Sequence, residues 1–558
     1  MKFDVCVVGS GAGAGPVIYE LSKAGFKVVV LEKGPWFKTE DFTKDEMVAT
    51  RRSVYTPNLR DERHVLVEKN AEGEWVEKST YKTGVDFWNG SAVGGSSNFM
   101  SAYFHRLKPS DFRLRSTYGP IEGANVVDWP ISYEDLEPYY ARVEKEVGVS
   151  GKVVQHRYLE PRSTPDFPYP PLAENHFSTL LDEAGKSLGY ELFPIPRGIL
   201  SRNKDERKSC FYSNYCGSYG CSSDAKGSSR AALMNQAIQT GNCEVIPNAK
   251  VFHLATDGKG RVIRADYYHG SKTKSVSARV FVVAAQAVET SRLLLMSKNP
   301  DFPKGLANNQ GQVGKNLVFS GGGIGGGQFF KEDLSEDLFK QLRTAGLFIN
   351  RASQQWYEIE GGAFKEKVKG GTIDFISEHA NAITKAVKLK YSGGELRYGT
   401  PLKKAMQEYF TQQVKFKFEV FVDWLPNDDC RVELDEDVKD RWGDPVAKVY
   451  LGYHEHDLKV GKFLAQKGEE ILKAAGLKNV YSSVSGGVSA NLQAGGCRFG
   501  DDPKTSVLDK NCKAHEVENL YVTDGSFMPT GGSVTYTFTI YANAFRVADH
   551  LKKVLMGA

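Results

Sequence analysis

Two clusters in the 558-residue chain have residue types and spacings suited to chemistry. The first is Gly9-Ser10-Gly11-Ala12-Gly13-Ala14. It follows the apolar run FDVCVV (residues 3–8) and precedes PVIYELSKA (16–24), which carries a helical pattern. A second run, FKVVVL (26–31), ends at Glu32, 23 positions after Gly9. Strand, glycine turn, helix, strand and acid in this order make the βαβ fingerprint of a dinucleotide site. Gly9 permits the tight turn, and Gly11 lets the backbone approach a pyrophosphate. Gly13 continues the loop, and Ala14 fills the third position, where a small residue allows close helix–strand contact. N–H groups at the helix start bind the phosphates, and Glu32 is expected to accept hydrogen bonds from an adenosine ribose.

The second cluster is Cys210-x5-Cys216-x4-Cys221, three of the chain's eight cysteines within twelve residues. Zinc favours four ligands, usually in tight CxxC pairs, so this loose trio suits it poorly. Three thiolates among glycines and serines, whose backbone N–H groups can bond to sulfides, suit an iron–sulfur cluster. A 3Fe-4S cluster is the expected form. A 4Fe-4S cluster with one non-cysteine ligand, zinc, and thiols without metal are the alternatives.

Composition narrows the remaining classes. The chain is 41% apolar and 25% charged, as in a well-packed globular protein, and long enough for more than one domain. Its net charge is +4 with no concentrated basic stripe, which excludes a nucleic-acid binder; Lys365, Lys367 and Lys369 alternate with other residues. No apolar run reaches the roughly 18 residues of a membrane span. The N-terminus enters its first strand with no room for a cleavable signal, which leaves a cytoplasmic location open.

Further elements must hold these clusters in place. The stretch GSAVGGSSN (90–98), with Gly95, Ser96 and Asn98, suits a loop passing close to a flat cofactor. Val414, Phe416, Phe418 and Val420 alternate with Lys415, Lys417 and Glu419, which predicts a half-buried antiparallel strand. RVELDE and PVAKVYLGY (445–453) predict two more strands of the same sheet. Residues 458–475 read as a helix stopped by Gly476. NLYVTDGS reads as a short strand, and 538–551 as a long apolar-periodic helix.

Taken together, the chain resembles the glucose–methanol–choline (GMC) oxidoreductase family, whose members hold FAD. Residues 4–34, WNGSAVGGSSNFM (88–100), DWPISYEDLEPYYARVEKEVGVSG (128–151), ARVFVVAAQAVETSRLLLMS (278–297) and 497–551 carry the resemblance. It implies an α/β Rossmann-like FAD-binding domain, discontinuous in sequence, plus an α+β substrate domain with an antiparallel sheet. The expected layout is 1–298 mainly FAD-binding, 299–466 mainly substrate domain, and 467–558 returning to the FAD domain and active site. It also implies cofactor contacts from Asp524 and Gly525, and Phe252 is counted in the cofactor-binding set. The helix after Thr537 is expected to point its N-terminus at the flavin.

The resemblance is to the branch of dehydrogenases that oxidise polyols, sugars or gluconate-like sugar acids. It implies electron exit through a cluster on the cysteine trio, although related trios have a last interval one residue shorter. A small accessory subunit, a c-type cytochrome or other one-electron acceptor, and a periplasmic location reached with a partner are implied as well. Family members place a catalytic histidine where this chain has Leu492, and a histidine or asparagine where it has Thr535. Neither residue titrates near neutral pH. The expected catalytic set is therefore Asn491, Thr535 and Tyr536, with His379, His454 and His456 as other candidates and His105 read as structural. The mismatch keeps two other readings open. One is an oxidoreductase acting on an activated substrate or a double bond, with Tyr536 as proton donor. The other is an electron-transfer subunit without turnover. Cys497 is read as structural, and Arg498 as a brace for its loop.

Overall fold

A computed structural model describes residues 2–47, 55–70, 72–87, 89–213, 215–362, 364–378, 381–485 and 492–557. The two N-terminal apolar runs form adjacent parallel strands, Phe3–Val8 and Val28–Leu31, joined through the helix Gly15–Lys23. Ala278–Val283 and then Leu520–Val522 extend the sheet on one side, and Cys243–Ile246 on the other, all parallel. A parallel sheet is covered on both faces, so its central strands read as unbroken apolar runs. Val28 to Leu31 are all buried. The long C-terminal helix Thr537–Met556 packs on Gly15–Lys23, with the Tyr19 and Phe545 rings edge to face at 6.4 Å. The Rossmann-like sheet thus draws on distant parts of the chain, as the resemblance implies.

A second five-stranded sheet is antiparallel. Its order is Arg351–Ser353, Gly371–Ser377, Gln413–Val422, Gly321–Phe330, Lys478–Ser483. The alternation predicted for 414–420 is present. Phe416, Phe418, Val420 and Val422 are buried with Leu464 and Ile471 of the helix Glu455–Ala474. That helix ends at Gly476, which has φ +89°. The strand Gly321–Phe330 is six-tenths glycine because its neighbours crowd it: a Cβ at Gly325 would run into the Phe418 ring.

Two expectations change. Arg431–Lys439 and Pro445–Leu451 do not join the antiparallel sheet. They form a separate four-stranded mixed sheet in which Pro445–Leu451 runs parallel to Val65–Lys69. Lys478–Ser483 is an edge of the antiparallel sheet, which therefore extends past residue 466. The candidates His454 and His456 lie at the start of the helix Glu455–Ala474, where His454 Nδ1 accepts from the His456 N–H at 3.2 Å. Among the described residues no helix is long and apolar enough to cross a membrane.

Candidate active site

The glycine loop after Phe3–Val8 opens onto a cavity of about 320 Å³ at the ends of the parallel strands. Such edges are where open α/β sheets take their ligands. The three loop glycines divide the work. Gly9 has φ +92°, and a Cβ there would collide with the Ala284 carbonyl. A Cβ at Gly13 would lie 2.6 Å from Asp524 Cα. At Gly11 a Cβ would meet nothing within 4 Å. Gly9 and Gly13 therefore press against protein, while Gly11 faces open space shaped for a ligand backbone contact. Gly95 lies over Gly11: its Cβ would fall 3.0 Å from Gly11 Cα.

Two carboxyls close this part of the cavity. Glu32 is buried, its Oε2 accepts from Ser10 Oγ at 2.5 Å and its Oε1 from Gly34 N at 2.8 Å. Burial raises its pKa against those hydrogen bonds. Asp524 accepts from Ser526 N at 2.8 Å, Gln286 N at 3.0 Å and Thr290 Oγ1 at 2.5 Å, and burial again raises its pKa. Gln286 holds a strained φ of +81° to make its contact.

Of the sequence-predicted cofactor residues, Gly9, Gly11, Gly13, Glu32, Gly95, Ser96, Asp524 and Gly525 line this one cavity. Ala14, Asn98 and Phe252 lie outside that lining. Ala14 is buried at the helix start. Asn98 donates to the Val93 and Gly95 carbonyls at 2.9 and 3.1 Å, which shapes the loop from behind. Phe252 stacks on Tyr268 at 4.3 Å, and Ala249, Lys250 and Val251 line the cavity in its place. Thr537 and Ile540, at the start of the C-terminal helix, complete the wall. An open Gly11 cradle, a carboxyl at Glu32 and a helix N-terminus suit an FAD, for its pyrophosphate, ribose and ring respectively.

The predicted catalytic residues fare differently. Asn491 and His379 lie outside the described residues. Thr535 lines the cavity, but its hydroxyl donates to the Tyr103 carbonyl at 2.5 Å. The Tyr536 hydroxyl donates to the Phe319 carbonyl at 2.6 Å, and burial holds the phenol well above its ordinary pKa. Tyr536 also lines the cavity, with its hydroxyl hydrogen directed at that carbonyl. Leu492 faces the cavity with φ +56°. Gln493 accepts from Val288 N at 3.2 Å through its Oε1 and donates to the Phe87 carbonyl through its amide, so it is a structural tie. His105 pairs with Asp374 at 3.0 Å, in keeping with a structural reading. Arg498 donates to the carbonyls of Thr505 and Asn125, both at 2.9 Å, and braces its loop as expected.

One lining residue escaped the sequence reading. Glu419, on the cavity face of Gln413–Val422, has a pKa raised to about 7 by burial and by the neighbouring Asp374, against the pull of Lys417 and Arg197. The alternation had placed it with two lysines on an exposed face. Phe421, the next residue on that face, is buried, and that aromatic was the one sign that the face becomes covered.

The cysteine segment docks on the cofactor loop. Ser218 N donates to the Phe99 carbonyl at 3.1 Å. The buried Lys226 ammonium donates to Asn98 O at 3.2 Å, Cys216 O at 3.0 Å and Tyr219 O at 2.8 Å. The thiols of Cys210, Cys216 and Cys221 lie near enough to perturb one another, and Lys44 and Lys226 feel all three. Among the described residues, however, no three histidine, cysteine, aspartate or glutamate side chains converge as a metal site. The trio is gathered but not closed around an ion.

Comparison with known proteins agrees with the geometry. Family models described as GMC oxidoreductase match residues 171–319 and 426–544. The 2-methyl-1,2-propanediol dehydrogenase of Mycolicibacterium austroafricanum is 28% identical, over 99% of this chain and 95% of its own length. The fructose dehydrogenase large subunit of Gluconobacter japonicus is 26% identical, over 98% and 97%. Among solved structures, pyridoxine 4-oxidase from Mesorbium loti superposes with a TM-score of 0.62 at 16% identity, covering 99% of both chains. It shares the fold.

Proposed function

We propose that this chain, which belongs to the GMC oxidoreductase family, is an FAD-dependent dehydrogenase that oxidises a hydroxyl carbon of a neutral polyol or sugar. The observation that carries the substrate class is the charge of the cavity wall. On the side built by the antiparallel sheet and the 492–493 and 535–537 segments, the lining holds Glu419 and, among the described residues, no lysine or arginine. The cations that do line the cavity are engaged elsewhere. Lys33 pairs with Glu62 at 2.9 Å, Lys250 with Asp440 at 2.6 Å, and Arg292 with Asp440 at 2.7 Å. Among the described residues a sugar acid would find a carboxyl and no unpaired cation in this wall, which favours a neutral substrate over a gluconate-like one. The names of two relatives, a diol and a fructose dehydrogenase, agree with a neutral substrate, and that of the gluconate 2-dehydrogenase flavoprotein of Pantoea cypripedii, 24% identical, with an acid one.

Bound FAD would supply the hydride acceptor. The chain holds it through the Gly11 cradle and Glu32, and Asp524 fixes the loop beside it. The Thr537–Met556 helix turns its positive end toward the cavity, where negative charge is stabilised. Electrons then leave to a one-electron acceptor, a c-type cytochrome reached with a small accessory subunit, on the periplasmic side of a membrane. An iron–sulfur cluster on Cys210, Cys216 and Cys221 would lie beside that exit. The docking of the segment on the cofactor loop supports this, and the open arrangement of the thiols does not.

The decisive experiment is anaerobic. FAD-loaded protein is mixed with neutral polyols, neutral sugars and aldonates while the flavin absorbance is followed. Neutral compounds are expected to bleach it and aldonates are not; bleaching by aldonates alone, or by none of them, defeats the proposal. The exit route is tested by iron and acid-labile sulfide analysis. Cys216→Ser is expected to lose iron and keep FAD, and equal iron in variant and parent removes the cluster.

A further inference from the structure

The cavity suits a hydride acceptor, and no histidine is among the described residues that line it to take the hydroxyl proton. Leu492 cannot accept one, and the hydroxyls of Thr535 and Tyr536 already donate to carbonyls. Oxidation of an alcohol still requires that proton to leave, and a positioned base is the usual means.

Glu419 is a carboxyl on the wall of the same cavity. It sits in the middle of the central strand Gln413–Val422, opposite Ile324 on one neighbouring strand and Asp374 on the other. Its side chain projects into the same cavity that Gly11, Ser96, Leu492 and Thr535 line. Among the described residues it makes no hydrogen bond or ion pair. That is unusual for a half-buried carboxyl, since burying a charge without a partner is costly. Its charged surroundings are few. Lys417, on the same strand face, is drawn to Glu378 at 3.2 Å. Asp374 binds His105 through Oδ1 at 3.0 Å, and its Oδ2 is buried without a partner. Arg197 lies over the Tyr103 ring at 3.8 Å and donates to Asn350 Oδ1 and the Ser101 and Ile349 carbonyls. The strand carrying Ile324 brings no charge at that register. Lys417 and Arg197 favour the Glu419 carboxylate from a distance, and burial and Asp374 outweigh them.

We propose that Glu419 takes the proton from the substrate hydroxyl, in place of the histidine that Leu492 replaces. The inference rests on the dehydrogenase reading above. In the step, the O–H bond breaks and its proton goes to a Glu419 carboxylate oxygen. The C–H bond breaks as the carbon–oxygen double bond forms, and bound FAD would be the acceptor of the hydride and its two electrons; the carboxyl later returns its proton to solvent. A base with a pKa near neutrality combines availability with proton affinity, and the raised pKa of Glu419, in a carboxyl on the cavity wall, supplies it.

The test uses FAD-loaded parent, Glu419→Gln and Glu419→Asp proteins. In anaerobic mixing with a neutral polyol that bleaches the parent, flavin reduction in the parent should accelerate as pH rises through about 7. Glu419→Gln should slow it by about 10²- to 10⁴-fold and flatten that pH dependence. Glu419→Asp should recover part of the rate. A second readout needs no turnover: in infrared difference spectra between pH 5 and pH 9, subtracting Glu419→Gln from the parent should leave one carboxyl that titrates near neutrality. A Gln variant with the parent's rate and pH profile, or a parent-minus-variant spectrum with no such carboxyl, overturns the assignment while leaving the dehydrogenase reading intact. If no polyol or sugar bleaches the parent, the functional reading fails and takes the base with it.

Discussion

At the scale of single residues, the glycine loop separates folding from cofactor binding. A Cβ at Gly9 collides with the Ala284 carbonyl and must adopt φ +92°, whereas at Gly11 it enters open space. Gly9→Val should therefore destabilise the fold itself by about 1–3 kcal/mol, the usual cost of overpacking. Gly11→Val should leave the apoprotein's melting temperature unchanged and lower its FAD content. Thermal melts of apoproteins beside flavin absorbance per chain separate the two; a Gly11→Val protein with full FAD content would remove the cradle. Glu419 yields a second prediction. Its pKa is about 7 in the fold, against about 4.3 for an unperturbed glutamate. The folded state binds this proton more tightly, so the contribution to stability is full below about 4 and is lost as pH rises through about 7. Glu419→Gln should match the parent's melting temperature at pH 4 and exceed it at pH 8. A gap that does not widen with pH would show that the carboxyl is not held out of water.

At the scale of elements, the helix Glu455–Ala474 supports the sheet that carries Glu419, so its start matters. His454 accepts from His456 N through Nδ1 and meets the Glu122 carbonyl through Nε2 at 2.8 Å, which fixes the tautomer with its proton on Nε2. His454→Ala should cost about 1 kcal/mol, the common value of a lost helix cap; chemical denaturation measures it, and an unchanged midpoint would mean that the cap is idle. The same region shows why some elements were legible in sequence and others were not. FDVCVV, the glycine loop and Glu32 form a local unit whose pattern needs only its neighbours in the chain. Phe416, Phe418 and Val420 reveal their strand by alternation for the same reason. The strand Gly321–Phe330 did not, because a glycine run carries no period and is specified by the Phe418 ring across the sheet. Pro445–Leu451 pairs with Arg431–Lys439 across the turn between them, and its sheet was not legible, since its parallel neighbour Val65–Lys69 lies hundreds of residues earlier. Glu419 was hidden in the same way. Only the packing of two sheets against one cavity turns a charged strand position into a substrate-facing one.

At the scale of the whole molecule, the cavity is the point where segments distant in sequence meet. Residues 9–13, 95–97, 249–251, 284–286, 492–493, 524–525 and 535–537 all contribute to its wall. Direct ties between these segments exist, such as the Asp524 bonds to Gln286 and Thr290 and the Gln493 bond to Phe87. They are short-reach bonds beside an open space, so a cofactor bridging that space should add stability that the chain alone lacks. A ligand that binds only the folded state stabilises it by about 2.7 kcal/mol at a hundred times its dissociation constant. Loading FAD into apoprotein should raise the melting temperature progressively with FAD concentration. Hydrogen exchange should slow together in the glycine loop, the 95–98 loop and the start of the C-terminal helix. The Gly11→Val protein should melt where the parent apoprotein melts and show neither response. Protection confined to the N-terminal loop, with the segments around 492 and 535 unchanged, would mean that FAD binds one half of the cavity and that the two sheets meet without it.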